Sequence, residues 1–139
     1  MIDLAQNEAR YIVLLYRRLI RSLDQELLKI GLSYGRYAYL FALYAQDGRS
    51  QQDLADSIGT DKAAATRALA RLESDGLIRR ASDVLDKRVV RVHLTAQGKK
   101  LRPQLEQAAE AAIREITRGL SDTQRAAFAD LLAAACFME

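Results

Sequence analysis

Apolar residues at Ile12, Leu15, Leu19, Leu23, Leu27 and Ile30 recur every three or four positions, the spacing that lines one face of an α-helix. The pattern predicts an amphipathic helix over roughly residues 5–30, stopped at Gly31, since glycine readily closes a helix in the left-handed conformation. Ser33 then caps a second helix running to about Gln46, with Leu40, Leu43 and Tyr44 inward and Asp47-Gly48 ending it. Ser50 with Asp53 three positions on has the form of a capping box with a carboxylate as its second partner. It opens a short third helix whose apolar residues are Leu54 and Ile58, closed by Gly59.

Only Gly59 and Thr60 separate that helix from a fourth, about Asp61 to Ser74. So short a joint makes the two cross at a large angle, as in a helix-turn-helix. Ala65, Leu69 and Leu72 mark the buried stripe of the fourth helix; rotation by 100° per residue puts Lys62, Ala63, Thr66, Arg67 and Ala70 opposite, with Arg71 at the margin.

Beyond Asp75-Gly76 the helical period gives way to alternation. Residues 77–81 form one strand; Val90, Val92 and Leu94 alternate with Val89, Arg91 and His93 in another. The segment between them is charged, so the hairpin has an exposed, cationic tip. His93, on the polar face with no second His, Cys or paired carboxylate at useful spacing, reads as a surface strand residue. Thr95 caps a helix of about 22 residues with a stripe of Leu101, Leu105, Ala109, Ala112, Ile116 and Leu120, bent near residues 99–103 by Pro103. Ser121 and Gln124 form a second capping box, opening a last helix with Phe128, Leu131, Leu132 and Ala135 inward. The terminal helices carry more apolar stripe than so small a head covers, so they pack on one another and on a second copy of the chain.

Charge sharpens this picture by its distribution. The net charge of +3 is ordinary for 139 residues, but residues 62–91 hold eight cations (Lys62, Arg67, Arg71, Arg79, Arg80, Lys87, Arg88, Arg91) against four anions (Glu73, Asp75, Asp83, Asp86). The flanking segments are nearly balanced. Half of the residues are apolar, enough for a real core. A leader or membrane span is not expected, which makes the protein soluble and cytoplasmic. The single cysteine, Cys136, excludes an internal disulfide and reads as packed in the last helix. No metal-ligand cluster, nucleophile with a base, or glycine-rich phosphate loop stands out, so neither an enzyme nor a cofactor is expected.

A helix-turn-helix followed at once by a charged hairpin is a winged-helix layout: mainly α with a small β-hairpin wing. The run LADSIGTDKAAATRALARLESDGLIRR, then DKR seven residues ahead of the Thr in VHLT, resembles the MarR family of bacterial transcriptional regulators. The resemblance extends to the LS opening the second helix and the LTAQGKKL opening the fifth. It implies a homodimeric, ligand-responsive repressor that binds a palindromic operator in double-stranded DNA. Residues 1–32 would be a dimerisation helix, 33–94 the DNA-binding region and 95–139 the remaining dimerisation helices, all in one domain.

Duplex DNA asks for cations and amides facing its phosphates and for side chains that enter a groove. The fourth helix would enter the major groove with Lys62, Thr66 and Arg67 at base edges or phosphates, and Arg71 further back along the backbone. Ser50 and Gln51 would meet phosphate at the positive end of the third helix. Ala63-Ala64-Ala65 departs from relatives that carry Ser or Thr there: these methyls can touch thymine, as Ala63 would, but donate nothing, which shifts specificity toward DNA shape. In the wing, a family D-x-R motif matches Asp86 and Arg88, with Arg88 reaching the minor groove, Asp86 bracing it and Lys87 on phosphate.

By the same resemblance an effector would lie between the dimerisation helices and the head. Tyr11, Arg36 and Tyr37 are candidates for a small aromatic or anionic molecule, among tyrosines that otherwise read as core. Two alternatives stand beside this reading: a winged-helix protein-interaction module that does not touch DNA, and a redox-responsive regulator acting through Cys136. Against the latter, peroxide-sensing relatives carry their reactive Cys in the first helix, where this chain has none.

Overall fold

Side-chain caps start five helices where the sequence predicts boundaries. Asn7, Ser50, Asp61, Thr95 and Ser121 each accept a hydrogen bond from the backbone N–H three residues on, satisfying donors that a helix N-terminus otherwise leaves unpaired. The structure, a computed structural model, describes residue 3 and residues 6–137. Its elements run α1 (Glu8–Leu28), α2 (Tyr34–Ala45), α3 (Gln51–Ile58), α4 (Lys62–Ser74), β1 (Ile78–Ser82), β2 (Val90–Leu94), α5 (Ala96–Lys100), α6 (Arg102–Ile116) and α7 (Asp122–Cys136).

Caps also show the first departures. Ser33 occupies the cap position of α2, but its hydroxyl makes no capping bond; the Tyr34 N–H donates to Asp24 Oδ1 at 2.9 Å, so α1 caps α2. The capping box closes in both directions at Ser121 and Gln124, whereas at Ser50 only the bond from the Asp53 N–H is made. The long fifth helix is two helices, broken at Leu101. Pro103 lies in the first turn of α6, where its missing N–H forfeits no intrahelical bond.

β1 and β2 pair antiparallel with Ile78 opposite Leu94, Arg80 opposite Val92 and Ser82 opposite Val90. The other edge of β2 is occupied too, by a segment expected to be only a turn. The Gly48 N–H donates to the Val92 carbonyl at 3.0 Å, the Val92 N–H to the Arg49 carbonyl at 2.9 Å, and Ser50 bridges to Arg91. Asp47 Oδ1 fixes this join by accepting the N–H of Leu94 at 2.9 Å and of Gly48 at 3.0 Å, and Gly48 makes the turn at a φ of +76° that favours glycine.

One hydrophobic cluster runs through the molecule. Leu40, Leu43, Leu54, Leu69, Leu72, Ile78 and Val92 fill the head, and Leu23 and Leu27 of α1 meet Leu105, Ala108 and Ala112 along the α1–α6 packing. Tyr44 and His93 are half-buried. Gly98 is forced by close approach: a Cβ there would overlap the Leu77 carbonyl, which already accepts the Thr95 N–H at 3.1 Å.

The last helix does not turn inward. No residue of α7 is buried; Leu131 is 69% and Leu132 46% exposed, Phe128 is half-buried, and Ala135 and Cys136 lie open. The N-terminal half of α1 is bare as well, with Ile12 67% exposed. Periodicity marks these apolar faces, but among the described residues little lies against them. None of the helices among the described residues is long and apolar enough to cross a membrane.

Candidate nucleic-acid interface

Gly59 ends α3 in the left-handed conformation, at φ +76°, and the chain turns straight into α4. Ala65, Leu69 and Leu72 lock α4 into the core, which leaves Lys62, Ala63, Thr66, Arg67, Ala70 and Arg71 exposed. Gln51 Nε2 reaches across the helix-turn-helix to donate to Thr66 Oγ1 at 2.9 Å, and that hydroxyl donates to the Lys62 carbonyl at 2.8 Å. The Thr66 hydroxyl is thus already engaged within the protein. Ser50, predicted to face phosphate, is only 9% exposed.

The wing is held by two aspartates. Asp83 Oδ1 accepts the N–H of Leu85 at 2.7 Å and of Asp86 at 3.1 Å, and Oδ2 accepts Arg91 Nε at 2.7 Å. Asp86 takes both the Nε and Nη2 of Arg88, at 3.1 and 3.2 Å, and the Arg88 side chain remains 91% exposed. Arg91, one of the eight cations of residues 62–91, therefore braces the base of the wing. Hydrogen bonds from Arg91, then from the Leu85 and Asp86 amides, hold the Asp83 carboxyl below its ordinary value of 3.8. A depressed folded-state value means that this bracing is complete above pH about 4 and is lost as the pH falls through the lowered value. Amide NMR signals of Leu85 and Asp86 should report that titration, and Asp83→Asn should abolish it.

The same pairings decide which cations remain free. Glu73 pairs with Arg80, Asp75 with Arg36 and at 3.6 Å with Arg71, Asp83 with Arg91 and Asp86 with Arg88. Among the described residues, Lys62, Arg67, Arg79 and Lys87 form no salt bridge. Lys62 and Arg88 line one cavity of about 240 Å³ between α4 and the wing, together with Ser50 and Gln51. Eight of the ten DNA-contact candidates lie on α4 or line this cavity beside it: Lys62, Ala63, Thr66, Arg67 and Arg71 on the helix, and Ser50, Gln51 and Arg88 in the lining. Asp86 and Lys87 stand with Arg88 on the wing.

The three effector candidates do not converge. Tyr37 is a core residue, stacked on Phe41 with ring centroids 4.4 Å apart, and burial pushes its hydroxyl up to about 12. Arg36 binds Asp75 at 2.5 Å and the Gly31 carbonyl at 3.1 Å; with Tyr34, Tyr39, Arg67 and Arg71 it lines an open groove of about 420 Å³. Tyr11 lies elsewhere, against Leu14, Arg17, Arg18 and Arg21. No group of three or more His, Cys, Asp or Glu among the described residues is placed to hold a metal ion.

The Asp83–Arg91 and Gln51–Thr66 pairs escaped sequence reasoning. The first is a diagonal contact, since the register sets Arg91 opposite Ala81 and leaves Asp83 beyond the last strand pair; neither pair has a periodic signature.

Comparison with known proteins converges on one family. A model of the MarR family matches residues 32–90. The HTH-type transcriptional regulator YybA of Bacillus subtilis is 30% identical over 116 residues, which are 81% of this chain and 77% of that one. A MarR transcriptional regulator from Methanosarcina mazei superimposes with a TM-score of 0.84 at 30% identity, covering 91% of both chains. A cysteine-to-serine variant of MarR from E. coli, complexed with operator DNA, superimposes with a TM-score of 0.78 at 26% identity over 91% of both.

Proposed function

We propose, from the premise that this chain belongs to the MarR family of transcriptional regulators and is not an enzyme, that it is a homodimeric repressor. It binds a palindromic operator and releases it when a small aromatic or anionic effector binds. The observation that carries the reading is the sorting of charge: the four acids of residues 73–86 are each tied to an arginine, while Lys62, Arg67, Arg79 and Lys87 are left free.

In this reading α4 lies in the major groove. Lys62 and Arg67 reach base edges or flanking phosphates, Ala63 and the Thr66 methyl lie against thymine methyls, and Arg71 follows the phosphate backbone. Ser50 and Gln51 sit at the N-terminal end of α3, near a phosphate. Arg88 enters the minor groove, aimed by Asp86, and Lys87 meets the phosphate beside it. Residues 33–94 form the reading head; residues 1–32 and 95–139 form the dimer, which covers the bare faces of α1 and α7 and sets the spacing of two half-sites at about one helical turn or a little more. The effector site narrows to the groove beside Arg36, where the guanidinia of Arg36, Arg67 and Arg71 suit an anion and Tyr34 and Tyr39 suit an aromatic ring.

Titrating DNA from upstream of its own gene should show saturable binding by a dimer. Its log affinity should fall with log salt at a slope of about 0.9 per phosphate neutralised. No binding at low salt would refute the proposal, and a monomeric mass in sedimentation would refute the dimer.

A further inference from the structure

We propose that the wing tip carries an apolar wedge, Val84 and Leu85, that seats against the sugar walls of the DNA minor groove beside Arg88. The inference rests on the DNA-binding reading above. Val84 is 94% and Leu85 96% exposed, more than any other large apolar residue described. A single exposed leucine is ordinary; two adjacent apolar side chains on a tightly held turn are not explained by folding. The turn owes its shape to other groups. Asp83 accepts two of its amides, the Asp83 N–H donates to the Val89 carbonyl at 2.8 Å, and the Val89 N–H donates to the Asp86 carbonyl at 3.0 Å. Polar residues at 84 and 85 would leave every one of these bonds in place, so the two side chains are presented outward without stabilising the fold.

Their neighbours select the occupant. Asp86 comes next and is taken up by Arg88, Lys87 beside it forms no salt bridge among the described residues, and Arg88 lines a cavity with Lys62 of α4. A surface that meets this tip is therefore anionic, with apolar area next to its charge. The minor groove has that character: phosphates at its rim and deoxyribose C–H on its walls, where apolar side chains of other DNA-binding proteins act as wedges. Apolar contact releases no counterions, so its contribution is insensitive to salt.

The full-length protein is compared as wild type, Leu85→Met, and the Val84→Ser, Leu85→Ser double variant, using the duplex upstream of its own gene and a mixed-sequence duplex. The serine variant should bind about tenfold more weakly, the effect of withdrawing roughly 56 Å² of apolar contact. Its salt slope and thermal midpoint should match wild type, and Leu85→Met should bind like wild type. Equal affinity of all three would overturn the inference and leave DNA binding standing. Lost repression in cells with unchanged DNA affinity would also overturn it, by assigning the tip to a protein partner. A wild type that binds neither duplex at low salt fails the DNA-binding reading itself.

Discussion

Reversing Lys62, Arg67 and Arg88 to glutamate together is expected to weaken operator binding by at least about a hundredfold. Each well-placed cation at a base edge contributes roughly 1–3 kcal/mol of discrimination, and three of them sum to most of the roughly 4–10 kcal/mol that separates specific from non-specific binding. The charge distribution makes these three the sensitive positions. Lys62 and Arg67 have no acid partner, so nothing in the fold depends on their charge, and Arg88 is tied only to Asp86 on the exposed wing. The fold should therefore survive with its thermal midpoint nearly unchanged. In a fluorescence anisotropy titration across salt concentrations the log-log slope should become shallower by about 0.9 for each phosphate that is no longer neutralised. Arg67→Ala alone should cost sequence preference more than non-specific affinity, because it lies on the face of α4 proposed to read bases. Unchanged repression in cells by the triple variant would support a winged helix that works through another protein.

Gly98→Ala is expected to destabilise the fold by about 1–3 kcal/mol, the cost of inserting a methyl where nothing can yield. The atom it meets is the Leu77 carbonyl oxygen, which is backbone and is held by the Thr95 N–H. Thr95 is fastened in turn, its Oγ1 donating to the Gly76 carbonyl at 2.6 Å while capping α5. Relief requires α5 to move off the strand, which also strains the bond from the Tyr44 hydroxyl to the Gly98 carbonyl, 2.7 Å long. For a chain of 139 residues the destabilisation corresponds to roughly 3–10 °C in thermal midpoint. Gly119→Ala is the control: a Cβ there meets no atom within 4 Å, and its midpoint should stay close to wild type.

The two cases also mark how far residue patterns reach. Ala65, Leu69 and Leu72 recur at the helical period, so the buried face of α4, and with it the exposed row from Lys62 to Arg71, is legible directly. Alternation does the same for Val92 and Leu94 in β2. Features depending on residues far apart in the chain are not legible. Arg36 and Asp75 are 39 positions apart, and no local spacing hints that the guanidinium proposed for an effector already holds a carboxylate. The strand-like pairing of Gly48 and Arg49 with β2 spans too few residues to show a period. For α7 the limit is different: the stripe of Leu131 and Leu132 is evident, but amphipathicity reveals that a face is apolar without saying what covers it. Thr66 illustrates a third limit, since a side chain's position on a face does not tell whether its hydroxyl is already taken.

The break at Leu101 has a mechanical meaning. α5 is fastened to the head through Thr95 and Gly98, whereas α6 lies along α1, so a stiff arm and a stiff head meet at one residue. Tyr44 spans that meeting point, bonded to Gly98 on one side and lying under the Arg102 guanidinium at 5.5 Å on the other. The 15 residues of α6 make an arm about 22 Å long, so a pivot of about ten degrees at Leu101 displaces Ile116 by about 4 Å. In the proposed dimer Leu101 would act as a fulcrum, gearing a shift of a few ångströms where the two arms cross down to a small change of tilt in each head.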